Sequence, residues 1–263
     1  MVPSGDGPSL GRVLATVSVI TAMVPRQRVS TLNGSPVRSA QRARGADITT
    51  GIGAHDGPSA AWAFSETYLT EDVTLLRARE RGEELGCRSI STGTGALLRT
   101  LAAALQARAV VELGTGSAVA SLWLLRGMAP DGVLTTIDAD GEHLRAAKAA
   151  FADEGVPAHR TRTIARSAAE VLPRLTDGAY DLVVVSTEPH ALPGQVTAAV
   201  RLLRPGGMLV ITDALLGGRV ADPALRDEET AIVREVTGAL RDDDRLAPAV
   251  VPVGEGVLLA VRR

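Results

Sequence analysis

The run Val110-Val111-Glu112-Leu113-Gly114-Thr115-Gly116-Ser117 limits what this chain can fold into more than any other stretch. A short apolar segment without alternation marks a strand buried on both faces. It feeds a glycine pair, which lets the backbone turn sharply and lets a ligand approach the main chain. A helical pattern follows, and then a second strand pattern, residues 133–138, ending on Asp138, 22 residues after Gly116. An acid at that place can accept both hydrogen bonds of a ribose diol. Strand, Gly-x-Gly, helix, strand and acid in this order predict a doubly wound α/β fold that holds a nucleoside. A lone Gly-x-Gly would carry little weight.

The rest of the chain keeps that rhythm. Strands are expected over residues 109–113, 133–138, 161–164, 181–185 and 208–212, and helices over 118–128, 142–154, 167–175, 192–203 and 222–240. Two helices precede them: 71–86, with Thr70 as N-cap and Gly86 at its end, and 95–106, with Leu97, Leu98, Leu101 and Leu105 on one face. Arg204-Pro205-Gly206-Gly207 reads as a turn. Two strand-like runs, 246–253 and 257–261, are joined by Gly254-Glu255-Gly256 and predict an antiparallel hairpin. The expected architecture is a mostly parallel sheet finished by that hairpin. With aromatics at 2% of the chain, its core must be aliphatic.

Residues 1–60, rich in Gly, Ser, Pro, Thr and Arg, differ in texture and read as a disordered or loosely attached extension to a domain over 61–263. Within them the apolar run 13–24 is too short to span a bilayer and lacks the flanks of a signal peptide. A net charge of −2 gives no field that would draw the chain to nucleic acid or anionic lipid. The single cysteine, Cys87, excludes an intrachain disulfide and fits a reducing compartment, so a cytoplasmic location is expected.

Which nucleoside is bound turns on two residues. A dinucleotide fingerprint needs a third glycine where Val119 stands. Glu112, two residues before Gly114, suits a cationic amino-acid moiety better than a pyrophosphate. S-adenosylmethionine carries an ammonium and a sulfonium and no phosphate. Three functions remain open: an S-adenosylmethionine-dependent methyltransferase, a non-catalytic protein that binds this cofactor or S-adenosylhomocysteine, and a nicotinamide-dependent oxidoreductase. Val119 and the hairpin disfavour the last.

With Leu122-Trp123-Leu124, His143-Leu144, Glu170-Val171-Leu172-Pro173, Asp181-Leu182-Val183, residues 202–207 and Gly217-Gly218-Arg219-Val220 added, the chain resembles the small-molecule O-methyltransferases of the catechol and caffeoyl-CoA type over residues 70–263. The resemblance implies a seven-stranded sheet whose last strand is antiparallel, a small-molecule methyl acceptor and, by analogy, a homodimer. It implies that Glu112 and Gly114 border the methionine part, that Asp138 holds the ribose, and that Ser167 and Ala168 lie against the adenine. Thr115, Gly116, Ala120 and Ser186 complete the implied cofactor set, and residues 92–95 line it from the N-terminal side. The family binds a divalent cation through an Asp after the fourth strand and an Asp-Asn pair after the fifth. Here those positions are Ser186, Asp213 and Ala214, and the neighbouring lysine position is Pro189. Glu188 and Asp213 alone make a poor site for a hard cation, which takes six or more oxygens. Ala118 replaces a frequent glycine, and Ser167 replaces a frequent acid.

Asp213 and His190, both at strand tips, are the candidate catalytic residues, His190 as a base near neutral pH. His143, His159, Arg219 and Arg226 read as solvated surface groups, and Trp123 as packing. No cysteine–histidine cluster suggests zinc, and no Gly-x-Ser-x-Gly elbow suggests a hydrolase.

Overall fold

A computed structural model describes residues 60–263. The expected extension, with the run at 13–24, lies outside the described residues apart from Ala60. Three helices lead in: α1 (Ala60–Thr67), α2 (Val73–Glu84) and α3 (Thr92–Ala104). Then β1 (Ala109–Leu113), α4 (Val119–Gly127), β2 (Val133–Asp138), α5 (Gly141–Asp153), β3 (Thr161–Ala165) and the short α6 (Ala168–Val171) follow in order. The second half holds β4 (Tyr180–Val185), α7 (Leu192–Leu202), β5 (Leu203–Ile211), α8 (Glu228–Arg241), β6 (Leu246–Val251) and β7 (Val257–Arg262).

The sheet order is β3-β2-β1-β4-β5-β7-β6. Strands β3, β2, β1, β4 and β5 pair in parallel, and β7 pairs antiparallel with both β5 and β6. This is the expected doubly wound, seven-stranded sheet with a terminal hairpin. Val110, Leu134, Leu182 and Val210 pack on the face carrying α3, α4 and α5, while Val111, Leu113, Val183, Val185 and Ile211 pack on the face carrying α7 and α8. Successive strand residues enter opposite cores, so the strands read as apolar runs without alternation. Strand order reverses between β1 and β4. In such sheets the crevice outside the carboxyl ends at that point takes the ligand.

Several boundaries differ from expectation for local reasons. Asp72, not Thr70, caps α2; its carboxylate accepts from the Leu75 N–H at 3.1 Å and pairs with Arg126 at 2.8 Å. Ser91 caps α3 three residues earlier than expected, by accepting from the Thr94 N–H at 3.1 Å. Helix α8 starts at Glu228 rather than residue 222. Asp227 is its cap, and a 3-10 turn, Leu216–Ala221, precedes it. The expected turn at 204–207 lies inside β5 as a break in register, where Tyr180 faces Leu203 but Leu182 faces Met208. Pro205 offers no N–H and Gly206 has φ +77°, so neither continues a regular ladder. Helix α1, which buries none of its residues, was not foreseen.

Candidate active site

The loops after β1, β2, β4 and β5 enclose a cavity of about 490 Å³, within the range of small-molecule sites. Gly114, Thr115, Gly116, Ala120, Asp138, Ser186, Glu188 and Asp213 all line it. Ser167, Ala168 and His190 do not, and neither does Glu112.

The glycine bend is held from both sides. The Gly114 N–H donates to the Ile137 carbonyl at 3.0 Å, and the Ser186 N–H donates to the Leu113 carbonyl at 2.9 Å. Gly114 has φ +85°, and a Cβ there would fall inside the Ser186 carbonyl oxygen, so only glycine fits. The Gly116 N–H donates to Asp138 Oδ2 at 3.0 Å, and the Asp140 N–H donates to Oδ1 at 2.9 Å. This wiring selects the ligand. In a dinucleotide site the amides of the bend face a pyrophosphate. Here one of them is spent on a carboxylate, whose charge would repel a phosphate. The residues therefore fit a nucleoside without phosphate, with lone-pair capacity left on Asp138 Oδ1, which accepts only from the Asp140 amide.

Glu112 sits one layer behind the bend and is fully buried. Its Oε2 accepts from the Ser121 hydroxyl and from Thr136 Oγ1 at 2.6 Å; Thr136 in turn lies 2.6 Å from Thr115 Oγ1. A buried polar chain thus runs from helix α4 to the cavity wall. Oε1 has no partner among the described residues. Burial outweighs the two donors and pushes the Glu112 carboxyl up to about 7.

Asp213 follows β5 with φ +55°, a strained value for a residue with a Cβ. The hairpin turn secures the segment: the Ala214 N–H donates to the Gly256 carbonyl at 2.9 Å, and the Leu215 N–H to Glu255 at 3.0 Å. Burial raises the Asp213 pKa, Arg88 draws it down, and Glu255 and Glu188 add to the rise. His190, with 57% of its side chain exposed, stands 4.0 Å from Glu228 on the outside of the site. Among the described residues no three His, Cys, Asp or Glu side chains come together as metal ligands.

Two contributions were not legible in the sequence. His143, read as a surface group, lines the cavity, with Nδ1 at 3.2 Å from Asp138 Oδ2. Its place five residues after Asp138, on the next helix, was the available signal. The N-terminal wall is made by Gly86, Cys87, Arg88, Ser89 and Ile90, just ahead of the expected residues 92–95. Those four are drawn into packing. The Gly93 N–H donates to Glu66 at 3.0 Å, and a Cβ on Gly95 would collide with Trp123.

A parallel sheet with a reversed terminal strand and a phosphate-free nucleoside crevice defines the class: an α/β protein of the S-adenosylmethionine-dependent transferase type. Comparison with known proteins agrees. The sequence profile described as O-methyltransferase matches residues 65–263. A Mycobacterium tuberculosis protein with a provisional O-methyltransferase name is 50% identical over 201 residues, covering 76% of this chain and 90% of its own. A Corynebacterium glutamicum crystal structure superposes with a TM-score of 0.71 at 33% identity, over 76% of this chain and 94% of that one. The O-methyltransferase TomG of Streptomyces achromogenes, crystallised in complex with S-adenosylmethionine, gives 0.69 at 31% identity over the same shares. The chain belongs to the O-methyltransferase family and is an S-adenosylmethionine-dependent methyltransferase. No helix among the described residues is long and apolar enough to cross a membrane.

Proposed function

We propose that the chain methylates an oxygen of a small molecule without help from a divalent cation. The observation that carries this reading is the donor set at the strand tips. Ser186 and Ala214 stand where the resemblance implies two metal ligands, and Pro189 where it implies a lysine. Asp213 and Glu188 remain, and among the described residues no three His, Cys, Asp or Glu side chains come together, so a cation held there would draw most of its six oxygens from water and the acceptor.

In this reading Gly114, Thr115, Gly116, Ala120 and Ser186 cradle the amino-acid part of the cofactor. Asp138 takes the ribose hydroxyls, with His143 behind it. Ser167 and Ala168 flank the adenine from beyond the present cavity wall. Glu112 acts through Thr136 by orienting the Thr115 hydroxyl. The cofactor supplies a methyl group on a sulfonium, a leaving group that needs no proton. The protein's work is to align the acceptor and exclude water. Asp213 takes the proton from the acceptor hydroxyl: it lines the cavity, its carboxylate accepts no hydrogen bond among the described residues, and burial makes it more basic than a surface carboxylate. It is preferred over His190, which faces outward.

Calorimetric titration with S-adenosylhomocysteine, with Mg²⁺ and with chelator, tests the reading together with methyl transfer to a panel of phenols. Affinity and turnover are expected to ignore the cation, and Asp213→Asn should cut kcat about 100-fold while leaving affinity intact. Turnover lost in chelator and restored by Mg²⁺ would overturn it. Binding without turnover on any acceptor would favour the non-catalytic reading.

A further inference from the structure

We infer that Arg88 touches the acceptor and supplies the positive charge that favours its ionised oxygen. The inference rests on the cation-free reading above. Oxygen methylation needs an electron-rich oxygen, and a free phenol ionises only near pH 10. A fixed opposite charge within hydrogen-bonding range favours the ionised form. Three basic side chains line the cavity: Arg88, His143 and Arg219. Arg219 is paired with Asp227 at 3.2 Å and with Glu229 at 2.8 Å. His143 is turned to Asp138, at the ribose end. Arg88 has neither a hydrogen bond nor an ion pair among the described residues, and its charge is felt by Asp213 at the opposite end. A guanidinium stays protonated throughout the working range and presents several donors to one oxygen.

The surroundings give the acceptor its character. Leu192, Leu216 and Val233 line the same cavity and offer apolar walls for an aromatic ring. Asp213 and Glu188 are the unpaired acids there, so Arg88 is not neutralised by contact yet faces a proton acceptor. The step balances: the acceptor oxygen bonds to the methyl carbon, the carbon–sulfur bond breaks with its electron pair left on sulfur, and the hydroxyl proton goes to the Asp213 carboxylate. The products are the methyl ether and S-adenosylhomocysteine.

The test is a spectroscopic titration of 4-nitrophenol bound to the protein saturated with S-adenosylhomocysteine, for the parent, Arg88→Gln and Arg88→Lys. The bound phenol in the parent should ionise about one to two pH units below the free phenol. Arg88→Gln should abolish that shift and Arg88→Lys should restore part of it. Equal titration in parent and Arg88→Gln, or no bound phenolate in the parent at all, would overturn the inference. So would a loss of S-adenosylhomocysteine affinity in Arg88→Gln, which would assign the guanidinium to the cofactor's carboxylate. A parent whose phenolate signal appears only with Mg²⁺ would sink the cation-free reading instead.

Discussion

The two ends of the cavity are finished differently. At the Asp138 end the polar atoms are spoken for: Asp138 accepts from the Gly116 and Asp140 amides, and Thr115, Thr136, Glu112 and Ser121 form one buried chain. At the other end the side chains of Arg88, Glu188 and Asp213 line the wall with no hydrogen bond or ion pair among the described residues, and Asp213 holds a strained backbone. The first end is pre-organised, so binding there would cost little reordering. The second keeps unspent charge for a ligand that brings its own partners. Strain of this kind persists only where neighbours over-determine it. Here the hairpin turn Gly254-Glu255-Gly256 does so through two backbone bonds to residues 214 and 215. The terminal hairpin therefore has a role in the site as well as in the sheet.

The sharpest way to break this contrast is Gly114→Ala. A left-handed backbone costs a non-glycine residue about 1–2 kcal/mol, and the added Cβ would also force the Ser186 carbonyl away. Binding of S-adenosylhomocysteine should vanish from calorimetry, with a lowered melting temperature. Parent-like binding would show that the bend is not pre-formed. Asp138→Ala should come next. It removes a charged acceptor worth about 1.5–3 kcal/mol per hydrogen bond, so affinity should fall about 100-fold. A loss below threefold would remove the ribose from Asp138, and the ordered end would then owe its order to packing alone.

The same contrast explains what the sequence could disclose. The bend and Asp138 were legible because their chemistry is local: a buried strand, two glycines and an acid in fixed order. The strands 109–113 and 133–138 came out at their observed bounds because burial on both faces leaves mostly apolar and β-branched residues without alternation. Arg88 was not legible, since nothing within the segment 86–90 tells that it will line the cavity and lie near enough to Asp213 for its charge to act there. His143 was hidden for a related reason: a histidine on an amphipathic helix looks like any solvated residue until Asp138 is placed beside it. Helix starts moved where two acceptors competed, as with Thr70 and Asp72, and the winner was the carboxylate that also gained Arg126. Glu112 was read as bordering the cationic amino-acid part of the cofactor, but sequence could not say whether it faces the cavity or stands behind it.

That last point gives the smallest expected effect. Glu112→Gln keeps the side-chain volume and both accepted hydrogen bonds but removes the ionisable proton. In the parent the folded protein holds this proton up to about pH 7, whereas the unfolded chain releases it near 4.5. The carboxyl's stabilising contribution is therefore complete below pH 4.5, declines as pH rises to 7, and stays flat above. The decline amounts to about 3 kcal/mol at most. The Gln variant lacks it, so urea midpoints should show the variant gaining on the parent between pH 5 and pH 8. Affinity for S-adenosylhomocysteine should hold, because the side chain has no exposure to the cavity. Parallel pH curves would mean that Glu112 ionises as an ordinary acid despite its burial. A large loss of affinity would mean that the carboxylate meets the cofactor's ammonium directly, so the ordered end would rest on ligand contact and not on wiring behind the wall.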